Sequence, residues 1–148
     1  MNVTVFTEID GSIKDVWRVI TDIENCQNVI SGIKKISILN KPEKGLVGLK
    51  WEETREMFGK EAMETMWITE STKNEHYSTR AESHGAVYIT TVSLKENAGL
   101  TLLTMSFSGE PQSLMAKVLS FMMSPFINGS IRKALAVDLQ DIKVHVES

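Results

Sequence analysis

Glu53 and Arg55 are the two residues whose surroundings invite chemistry. They lie in the run Leu49-Lys50-Trp51-Glu52-Glu53-Thr54-Arg55-Glu56-Met57, where Lys50, Glu52, Thr54 and Glu56 are polar without exception. Successive strand residues face opposite ways, so those four belong in water and Leu49, Trp51, Glu53, Arg55 and Met57 share the other face. With Trp51 interior, Glu53 and Arg55 point inward among apolar groups. Unpaired buried charge costs several kcal/mol, so the two need each other, a cross-strand partner, water or a ligand. Glu64 is a candidate partner: a two-residue Gly59-Lys60 loop places it opposite Arg55, and a three-residue loop does not. Two readings stand side by side. One is a structural ion pair, or side chains snorkelling at a sheet rim. The other is a polar handle that orients a carbonyl, hydroxyl or carboxylate in an oily pocket.

Other reactive side chains offer less. His76 and His84 share a strand face with Arg80 and Glu82 that reads as solvent-exposed, and at strand rise they stand about 26 Å apart, too far for one metal. His145 has no carboxylate or cysteine at ligand spacing, so no metal site and no cofactor are expected. Cys26 lacks local histidine context and reads as a half-buried small apolar residue. Neither a glycine-rich phosphate loop nor a nucleophile elbow is present.

The elements that must position Glu53 and Arg55 follow from hydrophobic period. Val3, Val5, Thr7 and Ile9 alternate with polar neighbours as a first strand. After Asp10-Gly11, Ser12 and Asp15 form an imperfect capping box for a short helix with Ile13, Val16, Trp17 and Ile20 on one face. A second short helix is predicted from Ile23 towards Val29, capped by Thr21-Asp22 and ended by Ser31-Gly32. Strands follow at Ile33 to Leu39, Val47 to Met57, Glu61 to Thr69, Glu75 to Ser83, Ala86 to Lys95 and Leu100 to Ser108. Their turns are Lys41 to Gly45, Phe58-Gly59-Lys60, Ser71 to Asn74, a Gly85 break and Glu96-Asn97-Ala98-Gly99.

A long helix completes the chain from Pro111, whose missing N–H suits a first helical turn. Leu114, Val118, Met122 and Met115, Leu119, Phe126 recur at helical spacing, as do Ile131, Leu135, Leu139, Ile142 and Val146. Phe121 and Met123 widen the apolar arc of its first half beyond one core-facing stripe, which demands wrapping structure, a ligand or a partner. Pro125 predicts a kink, or a break at Asn128-Gly129. Asp138 lies at the margin of the arc, as a rim salt bridge would. A sheet curved around this helix, with a chamber between them, satisfies these patterns together.

Strand alternation then proposes the lining. Tyr77, Thr79 and Ala81 face in from the fifth strand, and Leu103, Met105 and Phe107 from the seventh. The sixth presents either Val87, Ile89 and Thr91 or Tyr88, Thr90 and Val92, and a buried Tyr88 hydroxyl would need a partner. Met57, Met63, Met66 and Met105 on strands and Met115, Met122 and Met123 on the helix join Trp51 and Phe126 as soft, adaptable surface.

Composition narrows the function classes. A chain of 148 residues suits one domain, 1–148, able to bury roughly 70% of its unfolded surface. The net charge of −3 is spread along the chain, so nothing forms the basic stripe that nucleic acid requires. No apolar run reaches membrane-spanning length, and the strand-like N-terminus leaves no room for a signal peptide, so no membrane insertion is expected. One cysteine excludes an internal disulfide and fits a reducing compartment, with cytoplasm the default.

The order strand, two short helices, six strands, long helix resembles the START-like or Bet v 1-like helix-grip superfamily. Its polyketide cyclase/dehydrase-like SRPBCC branch is similar at Asp15-Val16-Trp17-Arg18-Val19-Ile20-Thr21-Asp22, Ile30-Ser31-Gly32-Ile33, Leu49 to Arg55, and Asp138-Leu139-Gln140-Asp141-Ile142-Lys143. The resemblance implies an α+β helix-grip fold: a seven-stranded antiparallel sheet curved around the C-terminal helix. It also implies an apolar ligand held between them, and a monomer or weak homodimer is expected. The ligand-binding residues expected are Trp51, Glu53, Arg55, Met57, Glu64, Tyr77, Tyr88, Leu103, Met105, Phe107, Met115, Leu119, Met122 and Phe126. One rival is a cyclase or dehydratase in which Glu53 or Arg55 serves aldol-type cyclisation or dehydration. Another is an accessory protein, like chaperone activators or carbon monoxide dehydrogenase accessory factors, with a filled interior and an exposed apolar patch near Phe121 and Met123.

Overall fold

The structure, a computed structural model, describes residues 2–57, 59–83 and 85–148. The side chains of Met57 and of helix positions 115, 116 and 118–127 lie outside that description. Strand β1 (Asn2–Ile9) leads through Asp10-Gly11 into helix α1 (Ile13–Thr21), then a 3₁₀ segment (Ile23–Asn28). Six strands follow: β2 (Ile33–Asn40), β3 (Lys50–Met57), β4 (Lys60–Thr72), β5 (His76–Ser83), β6 (Ala86–Asn97) and β7 (Leu100–Pro111). Helix α2 (Leu114–Glu147) ends the chain. All seven strands form one antiparallel sheet in the order β1-β7-β6-β5-β4-β3-β2.

Local chemistry explains the element ends. Ser12 caps α1 by accepting a hydrogen bond from the Asp15 amide at 3.1 Å, satisfying a donor that the first helical turn leaves orphaned. Gly11 is required for packing: a Cβ there would stand 2.7 Å from Val146 Cγ1, so the last turn of α2 rests directly on the first turn of the chain. The β6–β7 hairpin turns on Ala98 (φ 51°) and Gly99 (φ 86°), both left-handed, as a two-residue loop between right-twisted strands demands. Register shifts in β2–β3 and between Ile68 and Glu70 in β4–β5 are bulges, and bulges sharpen strand bending, which helps the sheet curve.

Several boundaries differ from the sequence reading. β3 begins at Lys50 because Gly48, at φ 95°, interrupts extension after the exposed Val47. Pro111 ends β7 opposite Ala86 instead of opening α2, whose first bond runs from the Lys117 amide to the Ser113 carbonyl. No break occurs at Asn128-Gly129, since α2 is continuous there. A lone glycine costs a helix about 1 kcal/mol, which packing of the turns beyond it offsets. The kink expected at Pro125 lies outside the described side chains.

Helix α2 lies along β1, where Arg132 Nη1 donates to the Thr4 carbonyl at 2.9 Å and Lys143 Nζ to the Glu8 carbonyl at 2.6 Å. Asp141 ties it to the far side by accepting from both the amide and the hydroxyl of Ser31. Between these ties sits a dry core of Val3, Ile9, Val16, Leu103 and Leu139, each 2% exposed or less.

Candidate functional site

Beyond that core the sheet and α2 diverge around a chamber of about 300 Å³. Its floor is the inner face of β2 to β7, its roof is the two turns of α2 from Ile131 to Asp138, and the 3₁₀ segment closes one side. Strand parity sets the floor: Trp51, Glu53 and Arg55 of β3 face in, as do Ala62, Glu64 and Met66 of β4. β6 contributes Tyr88, Thr90 and Val92, which resolves the choice that alternation left open.

An ion cluster occupies one end. Arg55 Nε donates to Glu53 Oε2 at 3.2 Å, and Arg55 Nη1 donates to both oxygens of Asp138 at 3.0 and 2.9 Å. Trp51 Nε1 donates to the other Glu53 oxygen at 3.3 Å. The side chains of Arg55, Glu53 and Asp138 are 19%, 11% and 6% exposed, so this is a buried cluster. Asp138 is therefore no rim residue: its turn of α2 faces inward, directly over β3. Burial pushes Asp138 up to about 6 although Arg55 pulls it down, and Glu53 and Asp141 add to the rise. Arg55 itself moves upward despite its desolvation, because Asp138 and Glu53 favour its charge.

Glu64 faces the chamber, opposite Glu53 and not Arg55. Pairing of Met57 with Lys60 closes the hairpin one residue earlier than a Gly59-Lys60 loop would, so Ala62 stands across from Arg55. Tyr77 anchors a neighbouring wall, its hydroxyl donating to the Ile20 carbonyl at 3.0 Å near the end of α1 and its ring edge-on to Trp17. Burial drives its phenol far above the ordinary range. Tyr88 stacks on Phe107 with centroids 5.6 Å apart, and burial, then Glu64, raises its phenol. Burial, then Glu53 and Asp22, pushes the Cys26 thiol up to about 12, which disfavours the reactive thiolate, and the side chain stands in the chamber wall.

Of the expected ligand residues, Trp51, Glu53, Arg55, Glu64, Tyr77, Tyr88, Met105 and Phe107 line the chamber. Leu103 does not: it has the same parity as Met105 and Phe107 but lies further along β7, sealed in the dry core. The side chains of Met57, Met115, Leu119, Met122, Phe126, Phe121 and Met123 fall outside the description, as does His84. Met63 points outward, 62% exposed, on the opposite parity to Ala62 and Glu64. Sequence reasoning misses Ile23, Cys26 and Ile30 as lining residues; their spacing of three and four is legible, but it marks only an apolar helix face and not what that face meets. It also misses Ala134, where a small residue gives no hydrophobic signal. Among the described residues no group of three histidine, cysteine or acidic side chains is placed to hold a metal ion. No described helix is long and apolar enough to cross a membrane.

Seven curved antiparallel strands gripping a C-terminal helix define a START-like, helix-grip protein. The chain belongs to the family described as polyketide cyclase / dehydrase and lipid transport, whose model matches residues 1–147. A Thermus thermophilus protein of solved structure is similar at TM-score 0.81 and 11% identity, over 99% of this chain and 97% of that one. A START superfamily protein from Mycobacterium smegmatis gives TM-score 0.80 and 14% identity over 99% and 97% of the two chains. The di-domain ARO/CYC BexL from the BE-7585A biosynthetic pathway gives 0.79 and 13%, with all of this chain covering 50% of that one. Among curated proteins none matches. Identities this low speak for fold alone.

Proposed function

We propose that this protein binds a small apolar or amphipathic molecule, of lipid, polyketide or isoprenoid-like character, between the sheet and α2. The observation that carries this reading is a chamber of about 300 Å³ whose mostly apolar wall ends in the Glu53–Arg55–Asp138 cluster. That volume is at the lower end of ordinary small-molecule sites, and a few convergent polar groups in an apolar wall are what fixes a ligand's orientation. Trp51, Tyr88, Met105 and Phe107 would supply apolar contact worth about 25 cal/mol per Å² before association costs. The chamber supports this reading over an accessory protein, which would call for a filled interior. Native mass spectrometry of protein purified from its own host tests the proposal directly. A non-covalent adduct that disappears in Ala134→Trp, with the fold intact by circular dichroism, is the expected result. An adduct that survives a blocked chamber would refute it.

A second reading has its own support. A cyclase or dehydratase needs an acid–base group poised near neutrality inside the cavity, and Asp138 at about 6 is such a group. BexL, an ARO/CYC, has the same fold. Turnover of a poly-β-ketone analogue that is lost in Asp138→Asn while the analogue still binds would favour the enzyme.

A further inference from the structure

The polar end of the chamber has an uneven charge balance. Glu53 and Asp138 face a single guanidinium, and Glu64 lines the same space across the β3–β4 ladder from Glu53. Arg55 is the one lysine or arginine among the described lining residues. Its Nε and Nη1 are already committed to Glu53 and Asp138, which leaves only the Nη2 hydrogens for a ligand, and the Trp51 indole N–H is committed to Glu53. Each carboxylate oxygen of Glu53 and Asp138 carries two lone pairs and accepts one of these bonds, so unused capacity at this end is mostly for accepting hydrogen bonds. Further along the floor, Thr79 and Thr90 pair across β5 and β6 and both face the chamber, adding hydroxyls that accept as readily as they donate. Beside them Tyr88 and Phe107, stacked with their rings 22° from parallel, offer aromatic surface on which a flat ring system can pack.

Resting on the reading that the chamber is a ligand site, we propose that it selects a flat apolar molecule carrying a hydrogen-bond donor, hydroxyl or amine, and discriminates against carboxylates of the same shape. A donor completes the lone pairs of Glu53 and Asp138 without disturbing Arg55. A carboxylate meets at least two like charges in a medium that screens them poorly, and must compete with both for one guanidinium. Fatty-acid-like anions are thereby disfavoured, although the chamber is oily enough to hold their chains.

A matched series on one ring system tests this by titration calorimetry at pH 7.5: 2-naphthol, 2-naphthylmethylamine and 2-naphthoate. At least one donor probe should bind ten-fold or more tightly than 2-naphthoate, and the order of the two donors tells hydroxyl from amine. A smaller margin, or tighter binding of 2-naphthoate, overturns the selectivity while leaving the cavity reading intact. Binding of none of the three removes both. Glu53→Gln, which keeps shape and drops one charge, should narrow the margin by about ten-fold. Asp138→Asn serves the same purpose should Glu53→Gln not fold, and an unchanged margin in a folded variant overturns the assignment.

Discussion

Helix α2 and the strands beneath it build two very different interiors within a few residues of each other. At one end Leu103, Leu139, Val16 and Ile9 are sealed together, with no charged group among them. Two residues along β7 the same inward face carries Met105 and then Phe107, and on α2 Asp138, the residue immediately before Leu139, turns into the chamber one turn back from Ile142. The dry end holds the fold; the chamber end carries its polar groups at a cost to stability. What sets the chamber end apart is the set of Tyr88, Phe107, Met105 and the paired charges of Glu53, Arg55 and Asp138 among its aliphatic neighbours.

The sharpest way to break this contrast is to remove the cation that makes the chamber end tolerable. Arg55→Met leaves Glu53 and Asp138 buried without their partner and should destabilise the protein by about 3–5 kcal/mol in urea unfolding. Adding Glu53→Gln and Asp138→Asn to it should recover much of that loss, since no charge then remains to be paired. A comparable perturbation of the dry end, Leu103→Ala, should cost about 2–5 kcal/mol through the cavity it leaves, with no rescue available from polar partners.

A pH series separates the two ends more cleanly. Asp138 titrates at about 6 when folded and near its ordinary value when unfolded, so the folded protein holds a proton that the unfolded chain has released. Its contribution to stability is complete below the unfolded value and is lost as pH rises through about 6. Between pH 7 and pH 4 this one group should add up to about 3 kcal/mol, and Asp138→Asn should abolish that component. Glu53, Arg55, Asp141 and Cys26 face the same carboxyl, so the variant and not the bare profile is the decisive measurement.

Two smaller changes sharpen the boundary between the regions. Tyr77→Phe removes the donor from the Ile20 carbonyl and should cost about 1–3 kcal/mol, because that carbonyl is buried where water cannot replace the hydroxyl. Gly129→Ala, where an added Cβ meets nothing within 4 Å, should stabilise α2 above the chamber by about 1 kcal/mol in thermal unfolding.

Much of the architecture was legible because it rests on period and parity. Alternation placed Trp51, Glu53 and Arg55 on the interior face, and the helical spacing of Ile131, Leu135, Leu139 and Ile142 placed α2 over the sheet. Parity names a face but not a depth along the strand, so it cannot separate Leu103, in the dry core, from Met105 and Phe107 in the chamber wall. The partner of Arg55 was illegible for another reason. Asp138 is 83 residues away in sequence, and only the docking of α2 on the sheet brings the two within 3 Å. A one-residue difference in where the β3–β4 turn closes likewise moved Glu64 from Arg55 to Glu53, because the turn type and not the strand pattern sets register.

The clasp of α2 on β1 has a consequence for how copies of this chain meet. An outermost strand ordinarily offers its unused main chain as a template on which a second molecule extends the sheet. Here Arg132 and Lys143 already occupy the Thr4 and Glu8 carbonyls, while Lys34 and Lys35 put charge on the opposite margin at β2. Growth by strand addition is thereby discouraged at both margins, and self-association is left to side-chain surfaces.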